Sequence, residues 1–275
     1  MNNHVFFVNA FSADYYKGNT AAVVLLDDYP ADAQMLALAK EFGFSETCFV
    51  KWLNNAEYHI RWFTPEVEVP LCGHATLAAA KSLFALREAD SAEIRFNSLS
   101  GVLIARRKQE YVELDFPLEK AEPVKAEPEV LQAIGAVQPI QILSARNSRN
   151  LILVYADPKV IPALKPDFAR LRKMTGLTYF GIAVTAWNED SYVCRYFAPW
   201  EGINEDPVTG SAQTYLAPFW ADKMQQTELT GYQLSERGGF FKVEVLKGRV
   251  LISGEAFIYL RGEIPVSWQE TSLIS

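Results

Sequence analysis

One stretch of this chain occurs twice, and this internal repeat constrains the fold more than any other feature. Residues 58–65 read Tyr-His-Ile-Arg-Trp-Phe-Thr-Pro and residues 192–199 read Tyr-Val-Cys-Arg-Tyr-Phe-Ala-Pro, so four residue types recur 134 positions later. A small-residue segment follows each copy, Gly-His-Ala-Thr at 73–76 and Gly-Ser-Ala-Gln at 210–213, at a spacing of 137. Such self-similarity is the usual sign of two related structural units.

Predicted secondary structure extends the match in the same order. Each half has a strand, a polar loop with an asparagine (Asn19 or Asn147), a second strand, a helix that ends at glycine, a strand that ends in tryptophan, the repeated strand, a small-residue helix and a hairpin. The predicted helices are 31–42 and 166–175, and the predicted strands and hairpins are 5–11, 22–26, 47–52 and 101–116, then 140–143, 151–155, 182–187 and 240–260. The ordered series favours duplication over one mixed sheet with accidental similarity.

A segment rich in proline and charge separates the halves. Residues 117–129 contain three prolines and no aromatic residue, which is typical of a linker or exposed crossover. We therefore predict an N-terminal lobe at 1–117 and a C-terminal lobe at 118–275, with the last strand packing back on the first lobe. The functional site is expected in the cleft between the lobes.

Composition excludes several classes of function. The 275 residues carry a net charge of −7, and the scattered Lys and Arg form no basic stripe, so no nucleic-acid partner is expected. No apolar stretch approaches the roughly 20 residues that cross a bilayer, and the N-terminus lacks the features of a signal peptide. Three cysteines do not suggest a disulfide framework. We therefore expect a cytoplasmic protein without membrane contact.

Metals and nucleotide cofactors are not expected either. His4, His59 and His74 have no second His or Cys at metal-ligand spacing. The sequence contains neither a G-x-G-x-x-G motif after a strand nor a G-x-x-x-x-G-K-[ST] loop. These absences favour a site that works with protein side chains alone, without metal or cofactor.

The small-residue helix starts suit an anionic ligand. The absence of bulky side chains at 73–76 and 209–212 lets a ligand approach the free backbone N–H groups of the first turn. Two such starts carry partial positive charge and favour a carboxylate. The interpretation is a small anionic organic substrate, and the alternative is a pair of well-packed helix starts. The candidate binding residues are Asn19, Gly73, Ala75, Thr209, Gly210 and Ser211.

Three side chains are candidates for proton transfer. Glu46 enters an apolar strand beside Phe44 and Cys48, where partial desolvation would raise its pKa; the alternative is an exposed glutamate at a strand start. His74 at a helix start would be held neutral, and a purely structural role is the alternative. Asp206, just before the second helix start, suits either catalysis or helix capping.

Several motifs in order along the chain resemble those of the phenazine biosynthesis-like (PhzF-like) proteins. They are Val-Asn-Ala-Phe at 8–11, Gly-Asn-Thr-Ala-Ala-Val-Val at 18–24, Phe-Ser-Glu-Thr-Cys-Phe-Val at 44–50, the stretch from 61 through Leu-Cys-Gly-His-Ala-Thr at 71–76, and Glu-Asp-Pro-Val-Thr-Gly-Ser-Ala at 205–212. The resemblance covers essentially the whole chain. It implies a diaminopimelate epimerase-like α/β (α+β) fold of two pseudo-symmetric lobes, each a barrel-like sheet around a central helix, and a homodimer.

The resemblance also implies a function. A carboxylate base matches Glu46, while His74, Asp206 and Ser211 line the site opposite, and no metal or organic cofactor takes part. The implied activity is that of an isomerase that shifts a proton on a small carboxylate-bearing metabolite. A one-thiol epimerase that uses Cys72 with Glu46, and a non-catalytic binding protein on the same scaffold, are the alternatives.

The chain departs from the family pattern in two places. Thr20 stands where proline is usual, which affects loop rigidity. Gln213 stands where histidine is common, and this change alters either a contact at the site or only a helix face. The second small-residue loop contains no thiol, so a racemase mechanism with two opposed cysteines is disfavoured.

Overall fold

The computed structural model describes residues 4–12, 14–54, 56–86 and 91–264. The chain forms two compact units. The first combines the N-terminal part, up to Leu114, with the segment from Glu255 onward; the second runs from Asp115 to Gly254 and includes residues 16–19. Among the described residues, no helix is both long and apolar enough to cross a membrane.

Strands and two helices build the first unit. They are β1 (His4–Ala10), β2 (Asn19–Leu26), α1 (Asp32–Phe42), β3 (Glu46–Asn54), β4 (Glu57–Phe63), β5 (Glu68–Val69), α2 (Gly73–Leu86), β6 (Glu93–Ser98), β7 (Gly101–Lys108), β8 (Tyr111–Pro117, which begins in this unit) and, near the end of the chain, β18 (Ala256–Glu263).

The second unit repeats this order with shorter first helices. Its elements are β9 (Glu122–Pro123), α3 (Pro128–Ile134), β10 (Gln141–Ala145), β11 (Asn150–Tyr155), α4 (Val160–Ala163), α5 (Phe168–Arg172), β12 (Gly181–Asn188), β13 (Ser191–Ala198), a 3₁₀ turn (Pro199–Glu201), β14 (Ile203–Asp206), α6 (Gln213–Met224), β15 (Glu228–Gln233), β16 (Gly239–Leu246) and β17 (Arg249–Gly254).

Strand pairing shows that the two units share one topology. In the first unit β2 pairs parallel with β3, β3 antiparallel with β4, β4 parallel with β6, and β6 antiparallel with β7. In the second, β11, β12, β13, β15 and β16 pair in the same sequence of directions. In both units the parallel connections carry the helices, as such crossovers require. The duplication that the sequence predicted is therefore present in the fold.

The repeated arginine anchors the same position in both units. Arg61 lies opposite Phe49, and Arg195 lies opposite Val184, the corresponding residue. Arg61 donates two hydrogen bonds of 2.7 Å to Glu68, and Arg195 donates two of 2.7 and 2.8 Å to Glu205. Such two-bond pairs tie each strand to the segment that leads to the following helix.

One helix lies at the core of each unit. Eleven of the fourteen residues of α2 are buried, and it packs against β1, β3, β7 and β18. Seven of the twelve residues of α6 are buried, and it packs against β15, β16 and β17. A helix that is buried nearly all round needs small apolar residues, and the Ala-rich sequence of α2 supplies them.

Three sequence-based predictions differ from the structure. The helix predicted at 166–175 is observed only as the shorter α5, which ends at Arg172. Its start is set by Asp167, whose side chain accepts a hydrogen bond from Arg170 N–H. The predicted linker contains β9, which pairs with β10. The hairpin predicted at 240–260 is limited to β16 and β17, because β18 pairs with β1 instead.

Candidate functional site

The first unit places two of the three predicted proton-transfer residues in contact. Glu46 is the first residue of β3 and His74 the second of α2. The Glu46 carboxylate lies 3.3 Å from Nε2 of His74, and the two side chains are 17% and 5% exposed. The prediction of a partly buried Glu46, as opposed to an exposed strand start, agrees with this placement.

His74 is neutral in this environment. Burial lowers its pKa to about 3, and the positive end of a helix dipole also disfavours an imidazolium at this position. The Cys72 sulfur lies 3.5 Å from Nδ1, and the Ser45 hydroxyl lies 3.5 Å from Nε2. An Nε2–H tautomer suits the carboxylate on that side and leaves Nδ1 to accept from the thiol. The result is a thiol–imidazole–carboxylate series.

The same three residues offer oxygen, sulfur and nitrogen donors within 4.8 Å of one another. However, the thiol is nearest Nδ1 and the carboxylate is near Nε2. One ion can bind only one of these nitrogens, so these two contacts cannot both serve the same metal. The expectation of a site without metal remains a prediction.

The first turn of α2 lies next to the contact between Glu46 and His74. Its first intrahelical bond runs from Thr76 N–H to Cys72 C=O at 3.2 Å. The N–H groups of Gly73, His74 and Ala75 therefore precede the helical ladder, where such groups have no carbonyl acceptor within the helix. Gly73 and Ala75 are buried. The binding of an anion at this helix start remains a prediction.

The second unit gathers the other predicted residues around Asp206. The Asp206 carboxylate accepts hydrogen bonds from the Thr209 hydroxyl and from Asn19 Nδ2, the latter at 2.8 Å. Asn19 also donates to Val208 C=O at 3.0 Å. Loss of solvation raises the pKa of Asp206 to about 6, against the opposing effect of these two hydrogen bonds. A carboxyl group with a pKa near neutrality can exchange a proton at working pH.

The second helix start differs from its prediction. Gly210 and Ala212 are buried and Ser211 is half-buried, but residues 210–212 form a turn and α6 begins only at Gln213. Gln213 N–H bonds to Gly210 C=O at 3.1 Å, which is the tight i to i−3 pattern. Asp206 does not cap α6, because its hydrogen bonds come from Asn19 and Thr209.

The two acids occupy positions at which the repeat is broken. Glu46 precedes Thr47, and Gly181 precedes the corresponding Ile182. Asp206 pairs with Tyr196, whereas its counterpart in the first unit is Val69, which pairs with Trp62. Each unit therefore carries one acid where the other has no ionisable side chain.

Both departures from the family pattern make specific contacts. The Thr20 hydroxyl donates to Asn9 Oδ1 at 2.6 Å, so this side chain ties the start of β2 to β1. Gln213 is fully buried and donates to Thr209 C=O at 3.0 Å, so it contacts the site loop rather than an open helix face. Sequence analysis missed Gln233, whose amide bonds the same loop, because nothing near it in the sequence resembles a motif.

Comparison with known proteins shows the class and then the family. The structure shares its fold with a hydroxyproline epimerase from Agrobacterium vitis, with a TM-score of 0.60 at 11% identity over 96% of this chain and 94% of that one. This is the diaminopimelate epimerase-like fold, with two pseudo-symmetric units. Within that class the chain belongs to the phenazine biosynthesis-like (PhzC-PhzF) protein family, whose profile matches residues 8–262.

Nearer relatives agree with this assignment. The chain is 42% identical to a Pseudomonas aeruginosa protein named as an uncharacterized isomerase, over 94% of this chain and 98% of that protein. A PhzF-family crystal structure from Enterococcus faecalis has a TM-score of 0.89 at 38% identity and covers 97% of this chain and all of that one. The relatives thus support an isomerase-type function and leave substrate and mechanism open.

Proposed function

We propose that this protein is a cofactor-independent isomerase that shifts a proton on a small carboxylate-bearing metabolite, with Glu46 as the acid/base. The observation that carries the proposal is the Glu46 carboxylate, 17% exposed and 3.3 Å from a neutral His74 at the start of a buried helix. A partly buried carboxylate beside a hydrogen-bonding imidazole is suited to taking a proton from carbon and returning it.

The other residues have proposed roles in binding. The N–H groups of Gly73, His74 and Ala75 suit the oxygen atoms of a carboxylate. Asp206, held by Asn19 and Thr209, would exchange a proton with a polar substrate group because its pKa is about 6. Gly210 and Ser211 complete the proposed binding set. We propose, as the family resemblance implies, that both groups act on one substrate.

Deuterium incorporation tests the proposal directly. A panel of unsaturated and α-chiral small carboxylates is incubated with the protein in D₂O and followed by NMR. We expect exchange at one carbon of at least one compound, and a loss of about 10²–10⁴-fold in Glu46→Gln. Glu41→Gln, at an exposed position on α1, is the matched control. Full activity of a folded Glu46→Gln variant would contradict the assignment.

A one-thiol epimerase is the second candidate, because the Cys72 sulfur lies 3.5 Å from His74 Nδ1. A thiol next to a base that is itself oriented by a carboxylate is an arrangement for thiol chemistry. Cys72→Ala separates the two functions. The proton-shift mechanism with Glu46 predicts that the variant keeps its activity, whereas the one-thiol mechanism predicts that activity disappears.

Binding without turnover, the homodimer and the cytoplasmic location are each tested by a separate measurement. A panel compound that raises the melting temperature without any exchange would favour a binding protein on this scaffold. The homodimer and the cytoplasmic location follow from the resemblance and from the sequence. Light scattering of the purified protein tests the first, and cell fractionation tests the second.

A further inference from the structure

The backbone N–H and C=O of Thr209 are each bonded by a buried glutamine. Its N–H donates to Gln233 Oε1 at 2.8 Å, and its C=O accepts from Gln213 Nε2 at 3.0 Å. The Thr209 hydroxyl donates to the Asp206 carboxylate. Both backbone groups and the side chain of one residue are thereby fixed, immediately next to a proposed site residue.

The two glutamines are themselves fixed. Gln213 accepts a 2.6 Å hydrogen bond from the Tyr192 hydroxyl. Gln233 donates to Asp206 C=O at 2.7 Å and lies 3.2 Å from the Thr209 hydroxyl. Gln213 is 0% and Gln233 is 1% exposed, so each lost hydrogen bond would leave a buried polar group unsatisfied. Networks in which buried amides are fully used give one defined geometry.

A close backbone approach makes room for this arrangement. Gly231, on β15, lies beside Tyr192 on β13. A Cβ atom at Gly231 would come within 2.4 Å of the Tyr192 ring, so only glycine leaves the ring in the position from which its hydroxyl reaches Gln213.

The first unit holds the corresponding residue in a related way. Cys72 is the counterpart of Thr209 at the spacing of 137, and Thr76 is the counterpart of Gln213. The Cys72 carbonyl accepts a 2.5 Å hydrogen bond from the Thr76 hydroxyl, as the Thr209 carbonyl does from Gln213. A side chain four residues later thus fixes the carbonyl before the helix in both halves, while the Gln233 contact occurs in the second half.

We infer that Gln213 and Gln233 are positioning residues that fix the backbone N–H and C=O of Thr209. Through the Thr209 hydroxyl they also orient the Asp206 carboxylate for the substrate. The inference rests on the proposed function and deepens it, since it assigns roles to residues that the family pattern does not require. Neither residue is placed in contact with the substrate. Each acts through Thr209 and Asp206.

We call the two glutamines and the Thr209 backbone groups that they bond the clamp. The contacts of Gln213 in this clamp involve no group that ionises near neutral pH. The groups that face it are Tyr192 and Cys194, and burial raises the pKa of the Cys194 thiol to about 12 and that of Tyr192 well above its usual value. Asp206 lies on the far side of Thr209, with a pKa of about 6. A histidine at position 213 could make both Gln213 contacts while neutral, but it would lose the acceptor for Tyr192 when protonated.

Four variants test the inference. Gln213→Met and Gln233→Met remove the amides with little change in shape, Gln213→His keeps both contacts at high pH, and Gln226→Met at an exposed site is the control. Two readouts are used: hydrogen exchange of the Thr209 amide by NMR, and the deuterium incorporation of the proposed reaction as a function of pH.

We expect Thr209 exchange to accelerate at least 10-fold in both Met variants, and incorporation to fall at least 10-fold. Gln213→His should keep activity at high pH and lose it below neutrality more steeply than the wild type does. Unchanged Thr209 exchange, or unchanged incorporation in both folded Met variants, would overturn the inference. If the wild type incorporates no deuterium, the proposed function fails. The clamp is then decided by Thr209 exchange alone, where acceleration supports it and no change refutes it.

Discussion

Glu46 and Asp206 stand where the two halves of the repeat differ, and their surroundings explain why. At the Glu46 position of the second unit, Gly181 leaves space that the Tyr196 hydroxyl occupies, 2.7 Å from Asn150 Oδ1. At the Asp206 position of the first unit, Val69 ends a short strand. The two copies therefore share the scaffold and differ at the positions of these two acids.

The ionisation of Asp206 should be visible in protein stability. Its pKa is about 6 in the folded protein against an ordinary 3.8, so the folded state holds the proton more tightly. Its contribution to stability is therefore complete below about pH 4 and is lost as the pH rises through 6. The difference corresponds to at most about 3 kcal/mol, and residual solvent exposure lowers it.

Urea unfolding of wild type and Asp206→Asn at pH 4 and pH 7 measures this contribution. The advantage of the wild type over the variant should be larger at pH 4 than at pH 7. Asp222→Asn, at an exposed position, is the control. An equal difference at both pH values would show that Asp206 titrates normally.

Gly181 permits a second prediction at this scale. A Cβ atom there would lie 2.0 Å from the Tyr196 hydroxyl and 2.4 Å from Asn150 Oδ1, so Gly181→Ala must displace both groups. We expect a destabilisation of about 1–3 kcal/mol. Gly262→Ala is the control, since its Cβ would meet nothing within 4 Å. In thermal unfolding, only Gly181→Ala should show a lowered melting temperature.

Among the elements, those with a strong local pattern were the ones that the sequence predicted well. Helix 31–42 is observed as α1 and ends at Gly43, whose φ of +68° lies in the left-handed region that favours glycine. The strand predicted at 182–187 lies inside β12, and its tryptophan end is close to the observed one. The residues that favour such an element and those that end it are neighbours in the sequence, so the sequence alone predicts the element.

Elements that depend on distant partners were predicted poorly. β9 consists of two residues in a proline-rich segment and exists because β10 supplies its hydrogen bonds. The contact between Glu46 and His74 joins a strand to a helix 28 positions later, and Gln233 reaches Thr209 across 24 positions. The motifs therefore identified several site residues, whereas their hydrogen-bond network required the fold.

The paired arginines offer a comparison between corresponding elements. Arg195 bonds Glu205 and also donates to the carbonyls of Ile161 and Leu164, at 3.2 and 2.8 Å. Arg61 bonds Glu68, but its other hydrogen-bond partner in the described residues is the exposed Asp32. Lysine cannot reproduce a planar set of several donors.

Arg195→Lys should therefore lower the free energy of unfolding more than Arg61→Lys does. We expect about 2 kcal/mol against about 1 kcal/mol, because the first change also leaves backbone carbonyls without their donor. Chemical denaturation of the two variants under identical conditions gives both values. Equal losses would mean that the carbonyl contacts of Arg195 contribute nothing to stability.

At the scale of the whole molecule, the first unit is built from segments that precede and follow the second unit in the chain. The chain completes the second unit at Gly254 and then returns to the first, where β18 pairs with β1 from Ala256 opposite Ala10 to Glu263 opposite His4. The first unit therefore cannot complete its sheet until β18, which follows the whole second unit, has been made. The second unit contains nearly all of its residues in one continuous segment.

This order predicts an unequal effect of truncation. A chain that ends after Gly254 lacks β18, so the backbone groups of β1 that bond to β18 lose their partners, while the pairing of β1 with β2 is kept. The helix α2 also loses one of the strands that cover it. We expect hydrogen exchange at β1 to accelerate by at least 100-fold, while amides of β12, which pair within the second unit, keep much more of their protection. A chain that ends after Ile264 keeps β18 and is the control. If the shorter chain protected β1 as well as the control does, β18 would be dispensable for the first unit, and the late return of the chain would have no energetic role.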